Sequence, residues 1–128
     1  MKTRFRFFQT ILLLAAGLAI ASCKDSIFAS AKNYDFDITA PGQDSVFVIE
    51  NRKNTTFIHF TFAGKLTHDV KIQWSPDSLS AHPTEYKIPA GEISIPVQTS
   101  DYYSQKVYIK YVADNDSTAG KLRINVKI

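Results

Sequence analysis

From Asn33 onward, apolar and polar residues alternate along the chain with a period of two. The last eight residues, KLRINVKI, put Leu122, Ile124, Val126 and Ile128 on one face and Arg123, Asn125 and Lys127 on the other. This is the pattern of an antiparallel strand with one dry and one wet side. DVKIQWS groups Val70, Ile72 and Trp74, and QKVYIKYV groups Val107, Ile109 and Tyr111. TTFIHFTF sets Ile58, Phe60 and Phe62 against Phe57, His59 and Thr61. EISIPV groups Ile93, Ile95 and Val97, and YDFDIT alternates Tyr34, Phe36 and Ile38 with two aspartates. SVFVIE is apolar almost throughout, which predicts burial on both faces or a twist between two sheets.

The breaks between these runs carry turn chemistry: APGQD (40–44), ENRKNTT (50–56), AGKLTH (63–68) and DNDSTAG (114–120), the last reading as a hairpin before the final strand. Gly, Asn, Asp and Ser accept turn dihedrals or bond their own backbone. SPDSLSAHPTEYKIPAGE, with Pro76, Pro83, Pro89 and Gly91, reads as the longest connection. Pro96 cannot donate to a ladder, so it predicts an edge strand or a bulge. No stretch after residue 32 carries a helical apolar stripe. About seven short strands with turns between them predict an all-β fold, an immunoglobulin-like antiparallel β-sandwich over residues 33–128, with a small closed barrel as the alternative.

The first 22 residues obey a different rule. Lys2, Arg4 and Arg6 precede an apolar run from Phe7 to Ala21, interrupted only by Gln9 and Thr10, and small residues Ala19, Ala21 and Ser22 then lead to Cys23. That order is a helical, cleaved secretory signal peptide over 1–22. Its uninterrupted stretch, Ile11 to Ala21, is shorter than the roughly 20 residues a membrane span needs. Ile20-Ala21-Ser22-Cys23 resembles the lipobox of bacterial lipoproteins. The resemblance implies cleavage before Cys23 and acylation of its thiol, so that the lipid anchor makes the membrane a partner. Each buried methylene adds roughly 0.8 kcal/mol to such an anchor. Lys24-Asp25 resembles the surface-export signal of Bacteroidota lipoproteins, which implies an outer-membrane, surface-exposed location. Residues 23–32 then read as acylated Cys23 and a polar tether.

Composition changes meaning once that segment is set apart. The whole chain has 15 Lys and Arg, 12 Asp and Glu, and a net charge of +3. Without Lys2, Arg4 and Arg6 the cations equal the anions, so no basic field invites nucleic acid. Cys23 is the single cysteine. With its thiol acylated, neither a disulfide nor a Cys-based metal site is available, and the fold must rest on a packed core.

EYKIPAGEISIPVQTSD (85–101) is similar to bacterial immunoglobulin-like modules. It looks like the N-terminal sandwich modules of Bacteroidota surface glycan-utilisation lipoproteins, and more distantly like Calx-β repeats. The resemblance covers about a third of the segment after the signal and specifies no ligand. Asp-Ser followed by an aliphatic residue or Thr resembles the Bacteroidota O-glycosylation sequon. It makes Ser26, Ser45, Ser78 and Ser117 candidate glycosylation sites, while the same pairs also serve as ordinary turn formers.

Candidate chemistry is sparse. His59 sits mid-strand, His68 and His82 lie in loops, and no metalloprotease or nucleophile-elbow pattern occurs. Asp114, Asn115 and Asp116 read as a solvated turn rather than as a calcium loop. Trp74 shares a face with Val70 and Ile72 and belongs in the core. Tyr102 and Tyr103 are adjacent, so both cannot face the core of a regular strand. With Tyr86 and His82 they form the candidate ligand surface. The reading is a non-enzymatic binding or accessory module without catalytic residues, metal or cofactor, with a glycan or a protein as partner. The alternatives are a structural subunit of a surface assembly, such as a pilus or adhesin, and a small hydrolase or inhibitor.

Overall fold

A computed structural model describes residues 31–51 and 55–128. The expected signal peptide, Cys23, Ser26 and the start of the expected tether lie outside the described residues. Eight strands follow in order: β1 (Asn33–Ile38), β2 (Ser45–Glu50), β3 (Phe57–Leu66), β4 (Val70–Ser75), β5 (Thr84–Ile88), β6 (Gly91–Asp101), β7 (Lys106–Ala113) and β8 (Gly120–Lys127). They build two four-stranded sheets, β1-β8-β3-β6 (sheet A) and β2-β7-β4-β5 (sheet B). All pairings are antiparallel.

The expected all-β sandwich of antiparallel sheets is what the chain forms. Its connectivity is more specific. The last strand lies between β1 and β3 in one sheet, and β7 lies between β2 and β4 in the other. This is the strand order of a jelly roll, eight strands in two interlocked Greek keys. In an immunoglobulin sheet the last strand would pair with the one before it. Every connection except β4–β5 crosses between sheets, so DNDSTAG is an arch from sheet B to sheet A and not the hairpin its turn residues suggested. The strand beyond the expected seven is β5. It lies within the segment read as the longest connection, where TEYKI offers only Tyr86 and Ile88 as apolar positions.

The core follows the alternation. Ile58, Phe60 and Phe62 of β3, Leu122, Ile124 and Val126 of β8, Val70, Ile72 and Trp74 of β4, and Val107, Ile109 and Tyr111 of β7 are all buried. Each such side chain contributes about 1.5–3 kcal/mol by leaving water. The two inner faces meet ring to ring: Phe60 lies 4.7 Å from Trp74 and Phe36 stacks 4.4 Å from Phe47. Lys32 and Ile128 exchange backbone hydrogen bonds of 2.9 and 3.1 Å, extending the β1–β8 ladder past Asn33. Asn51 Nδ2 donates to the Ile128 carbonyl at 3.2 Å, tying the end of sheet B to the last strand.

Pro96 sits on both an edge strand and a bulge. Between Phe60↔Gln98 and Phe62↔Ile95, β3 advances by one intervening residue and β6 by two. The extra residue reverses the in–out phase. Ile93 is therefore buried and Ile95 half-buried, but Val97, expected beside them, is 58 % exposed. SVFVIE is one-sided: Phe47 and Ile49 face the core, while Val46 and Val48 are 60 % and 49 % exposed on the outside.

Candidate functional site

The two outer faces differ in chemistry. On sheet A the outward side chains satisfy one another across strands. Arg123 Nε donates to Asp37 Oδ1 at 2.8 Å, and Asn125 Nδ2 to Asp35 Oδ1 at 2.8 Å. His59 Nδ1 shares a 2.7 Å hydrogen bond with Thr99 Oγ1, and Lys65 pairs with Glu92 at 2.8 Å. The Arg123 bond holds the Asp37 carboxyl below its usual range. Such exposed pairs add little stability, about 0–1 kcal/mol each.

Sheet B carries cross-strand polar pairs of its own and adds the exposed apolar side chains of Val46 and Val48. Its register aligns Val46 with Lys110 and Val48 with Tyr108 on one side, and Gln73 with Lys110 and Ser75 with Tyr108 on the other. A groove of about 340 Å3 opens here beside the β4–β5 connection, lined by Val46, Gln73, Trp74, Ser75, Ser78, Ser80, Pro83, Tyr108 and Lys110. The overhanging connection is fixed by its own side-chain-to-backbone bonds. Ser75 Oγ donates to the Asp77 carbonyl, and the Leu79 N–H donates to Asp77 Oδ1 at 2.9 Å. The floor is also held in place. Gln73 Nε2 donates to Glu85 Oε2 at 2.9 Å, and Lys110 pairs with Asp44 at 3.2 Å. Lys106 lies over the Tyr108 ring at 5.2 Å and pairs with Glu50 at 3.0 Å.

An aromatic ring beside amide, hydroxyl and ammonium groups suits a ligand with both apolar faces and hydroxyls. Apolar patches pack on the ring, and donors and acceptors fix orientation. Alternation in QKVYIKYV already sends Tyr108 outward, so an aromatic residue on a wet face was the sequence signal for this site.

The residues singled out from sequence are not brought together as one surface. Tyr102 is buried, its hydroxyl donates to the Lys106 carbonyl at 2.6 Å, and burial pushes its phenol up to about 12. Tyr86 is a half-buried residue of β5, stacked 5.5 Å from Phe62, and it holds the lateral side of the sandwich. Parity explains Tyr102: it follows the last rung of β6 and turns inward, which leaves Tyr103 79 % exposed. His82 is exposed in the connection that overhangs the groove, next to Pro83, which lines it. Ser45 is half-buried at the start of β2, where the neighbouring Asp44 accepts from the Ala113 N–H at 3.0 Å. Ser78 and Ser117 are exposed, and Ser78 lines the groove. Asp114 pairs with Lys71 at 3.0 Å, and Asn115 Oδ1 accepts from the Ser117 N–H at 2.8 Å, so these oxygens serve the turn. Among the described residues no group of three or more His, Cys, Asp or Glu converges to hold a metal.

The sheet edges differ as well. β6 carries Pro96 and the bulge, and β5 carries Glu85 and Lys87 with Pro83 and Pro89 flanking it. β1 carries Asp35 and Asp37. Prolines, bulges and edge charges discourage pairing with another chain. β2 has none of these within it: it runs six rungs in unbroken register with β7, and its one charge, Glu50, is terminal.

The fold defines the chain as a jelly-roll sandwich with a groove on one outer face. No protein-family model matches the chain, and no curated protein matches it in sequence. Among solved structures it is similar to a chain described under "Bacillus endospore appendages form a novel family of disulfide-linked pili". That likeness has a TM-score of 0.44 and 11 % identity, and covers 83 % of this chain and 94 % of that one. It is similar to an exo-β-1,3-galactanase from Phanerochaete chrysosporium (TM-score 0.44, 9 % identity), covering 78 % of this chain and 30 % of the enzyme. It is also similar to PirA (TM-score 0.43, 9 % identity), covering 82 % of this chain and 97 % of PirA. Similarity at this level says nothing about what the chain does.

Proposed function

We propose that this chain is a lipid-anchored, non-catalytic binding module of the bacterial outer membrane that captures glycans on the outer face of sheet B. The observation that carries the binding role is the groove, in which the Tyr108 ring stands beside Gln73, Ser75, Ser78, Ser80 and Lys110. A sugar packs its C–H face on the ring and spends its hydroxyls on the amide, the serines and the ammonium. Most of these groups are held before a ligand arrives, which reduces the ordering cost of binding. The anchor rests on the order of the first 23 residues and on the single thiol at Cys23.

Two measurements test the reading separately. A glycan array followed by calorimetry on the hits is expected to find oligosaccharides whose binding is lost in Tyr108→Ala while the melting temperature is kept. Array silence, or hits indifferent to Tyr108→Ala, would reject the glycan role. Metabolic labelling with an alkynyl fatty acid is expected to mark the wild-type chain and to leave Cys23→Ser unlabelled. Equal labelling of both would reject the anchor.

A further inference from the structure

We infer that two copies of this chain join through the open edges of β2, converting two four-stranded sheets into one continuous eight-stranded sheet. The inference does not depend on what the groove binds.

The backbone determines which groups are free to pair. The Asn51 N–H donates to the Gln105 carbonyl at 2.7 Å, continuing the β2–β7 register one step beyond Glu50↔Lys106. Backbone groups in an antiparallel strand alternate between its two sides. Asn51, Ile49, Phe47 and Ser45 therefore direct theirs toward β7, and Val46, Val48 and Glu50 direct theirs to the edge that no strand among the described residues covers. Those edge-facing groups belong to the residues whose side chains form the exposed apolar strip.

The edge is complementary to itself. An antiparallel pairing with its two-fold axis at Phe47 sets Val46 opposite Val48 of the second copy, and Val48 opposite Val46. Both are edge-facing residues, so each such pair closes two backbone hydrogen bonds and covers two valines together. Cross-strand apolar pairs of this kind contribute roughly 0.2–1 kcal/mol beyond the ladder. The same register puts Glu50 opposite Asp44 of the second copy. Two acids opposite one another repel, and the lysine that each already holds, Lys106 at 3.0 Å and Lys110 at 3.2 Å, offsets that repulsion at the ends of the junction. Moving the axis to Val48 would set Glu50 against Val46 and lose the two Val46–Val48 pairs. The axis is isologous, so a dimer closes and uses up the edge. A second copy fits this strand because its valine pairs and its edge-facing backbone groups fall into register together, while each acid keeps its own lysine.

The test uses the full chain in its bacterial host, with a photo-crosslinking benzoylphenylalanine at position 48 or, on the opposite edge, at position 87. Irradiation at position 48 is expected to give a species of twice the chain mass, with the link mapping near Val46; position 87 is expected to give none. Val46→Lys, on the outer face, is expected to abolish the link without changing protease resistance. With the probe moved to position 46, Val48→Pro is expected to do the same, since the N–H it removes faces the edge and not β7. A link to a different protein alone, no doubled species, equal doubling from position 87, or a ladder of trimers and higher species would overturn the proposal. The ladder would favour an open assembly instead.

Discussion

The hydroxyl of Tyr111 donates to the carbonyl of Pro41 at 2.7 Å. Tyr111 lies at the inner end of β7 and Pro41 in the β1–β2 connection, 70 residues earlier, and both are buried. The bond pins the arch between the two sheets onto the strand at the centre of sheet B.

Removing that hydroxyl leaves the Pro41 carbonyl buried without this partner. Tyr111→Phe is therefore expected to lower unfolding free energy by about 1–3 kcal/mol with the fold retained. The melting temperature should fall by roughly 4–8 °C per kcal/mol. Thermal denaturation followed by circular dichroism measures it.

Alkaline stability follows from the same residue and from Tyr102. Burial pushes both phenols from an ordinary value of 10 to about 12, with the nearby Asp44 charge adding to the rise at Tyr111. A group whose pKa is higher in the folded state holds its proton more tightly there. Its stabilising contribution is complete below about pH 10 and is lost as the pH climbs through about 12. Urea midpoints are expected to fall between those limits, and less steeply in Tyr102→Phe and Tyr111→Phe. Absorbance titration of phenolate at 295 nm is expected to show these two tyrosines ionising late.

Two glycines face the same residue, since Leu66 is paired with Gly91 on one side and with Gly120 on the other. Both have positive φ, +105° and +118°. A Cβ at Gly120 would lie 2.0 Å from the Lys65 carbonyl oxygen, whereas one at Gly91 meets nothing within 4 Å. Gly91→Ala is expected to cost only backbone strain, about 1–2 kcal/mol. Gly120→Ala adds the displacement of a neighbouring strand and is expected to cost about 3 kcal/mol or more. Paired denaturant curves distinguish the two.

Trp74 is the single tryptophan and lies between core and groove, packed on Phe60 and lining the site. Sugar binding is expected to shift its fluorescence, and Tyr108→Ala to abolish the shift. Tyr102→Phe, which alters a buried hydrogen bond away from the groove lining, is expected to lower stability and leave the shift intact.

The bulge makes a prediction that plain alternation reverses. Val97→Ser is expected to change stability by less than about 0.5 kcal/mol, because the side chain is already outside. Ile93→Ser is expected to cost more than about 2 kcal/mol. Equilibrium unfolding of both variants compares them.

Much of the architecture was written in the alternation. The inner faces of β3, β4, β7 and β8 can be read residue by residue because a strand changes face at every step, and one buried face demands one apolar parity. Pro96 likewise marked an edge and a bulge, since a proline has no N–H for a ladder. The candidate site was less legible. Tyr102 and Tyr103 had to part company, but which one turned inward depended on where β6 ended. Tyr86 looked like a loop residue because β5 is short, polar and flanked by prolines. Tyr108 was sent outward by its parity, yet only the strand beside it and the overhanging 76–83 connection made that position a groove.

By itself, then, the sequence determined seven of the eight strands and most of their dry sides, because these depend on residues close together in the chain. Tertiary structure alone decided the jelly-roll order, the arches that cross between sheets and the groove on sheet B. A turn residue sets local dihedrals and cannot say whether the next strand pairs with the last or crosses over it. That choice belongs to packing between residues far apart in sequence, of the kind that joins Tyr111 to Pro41.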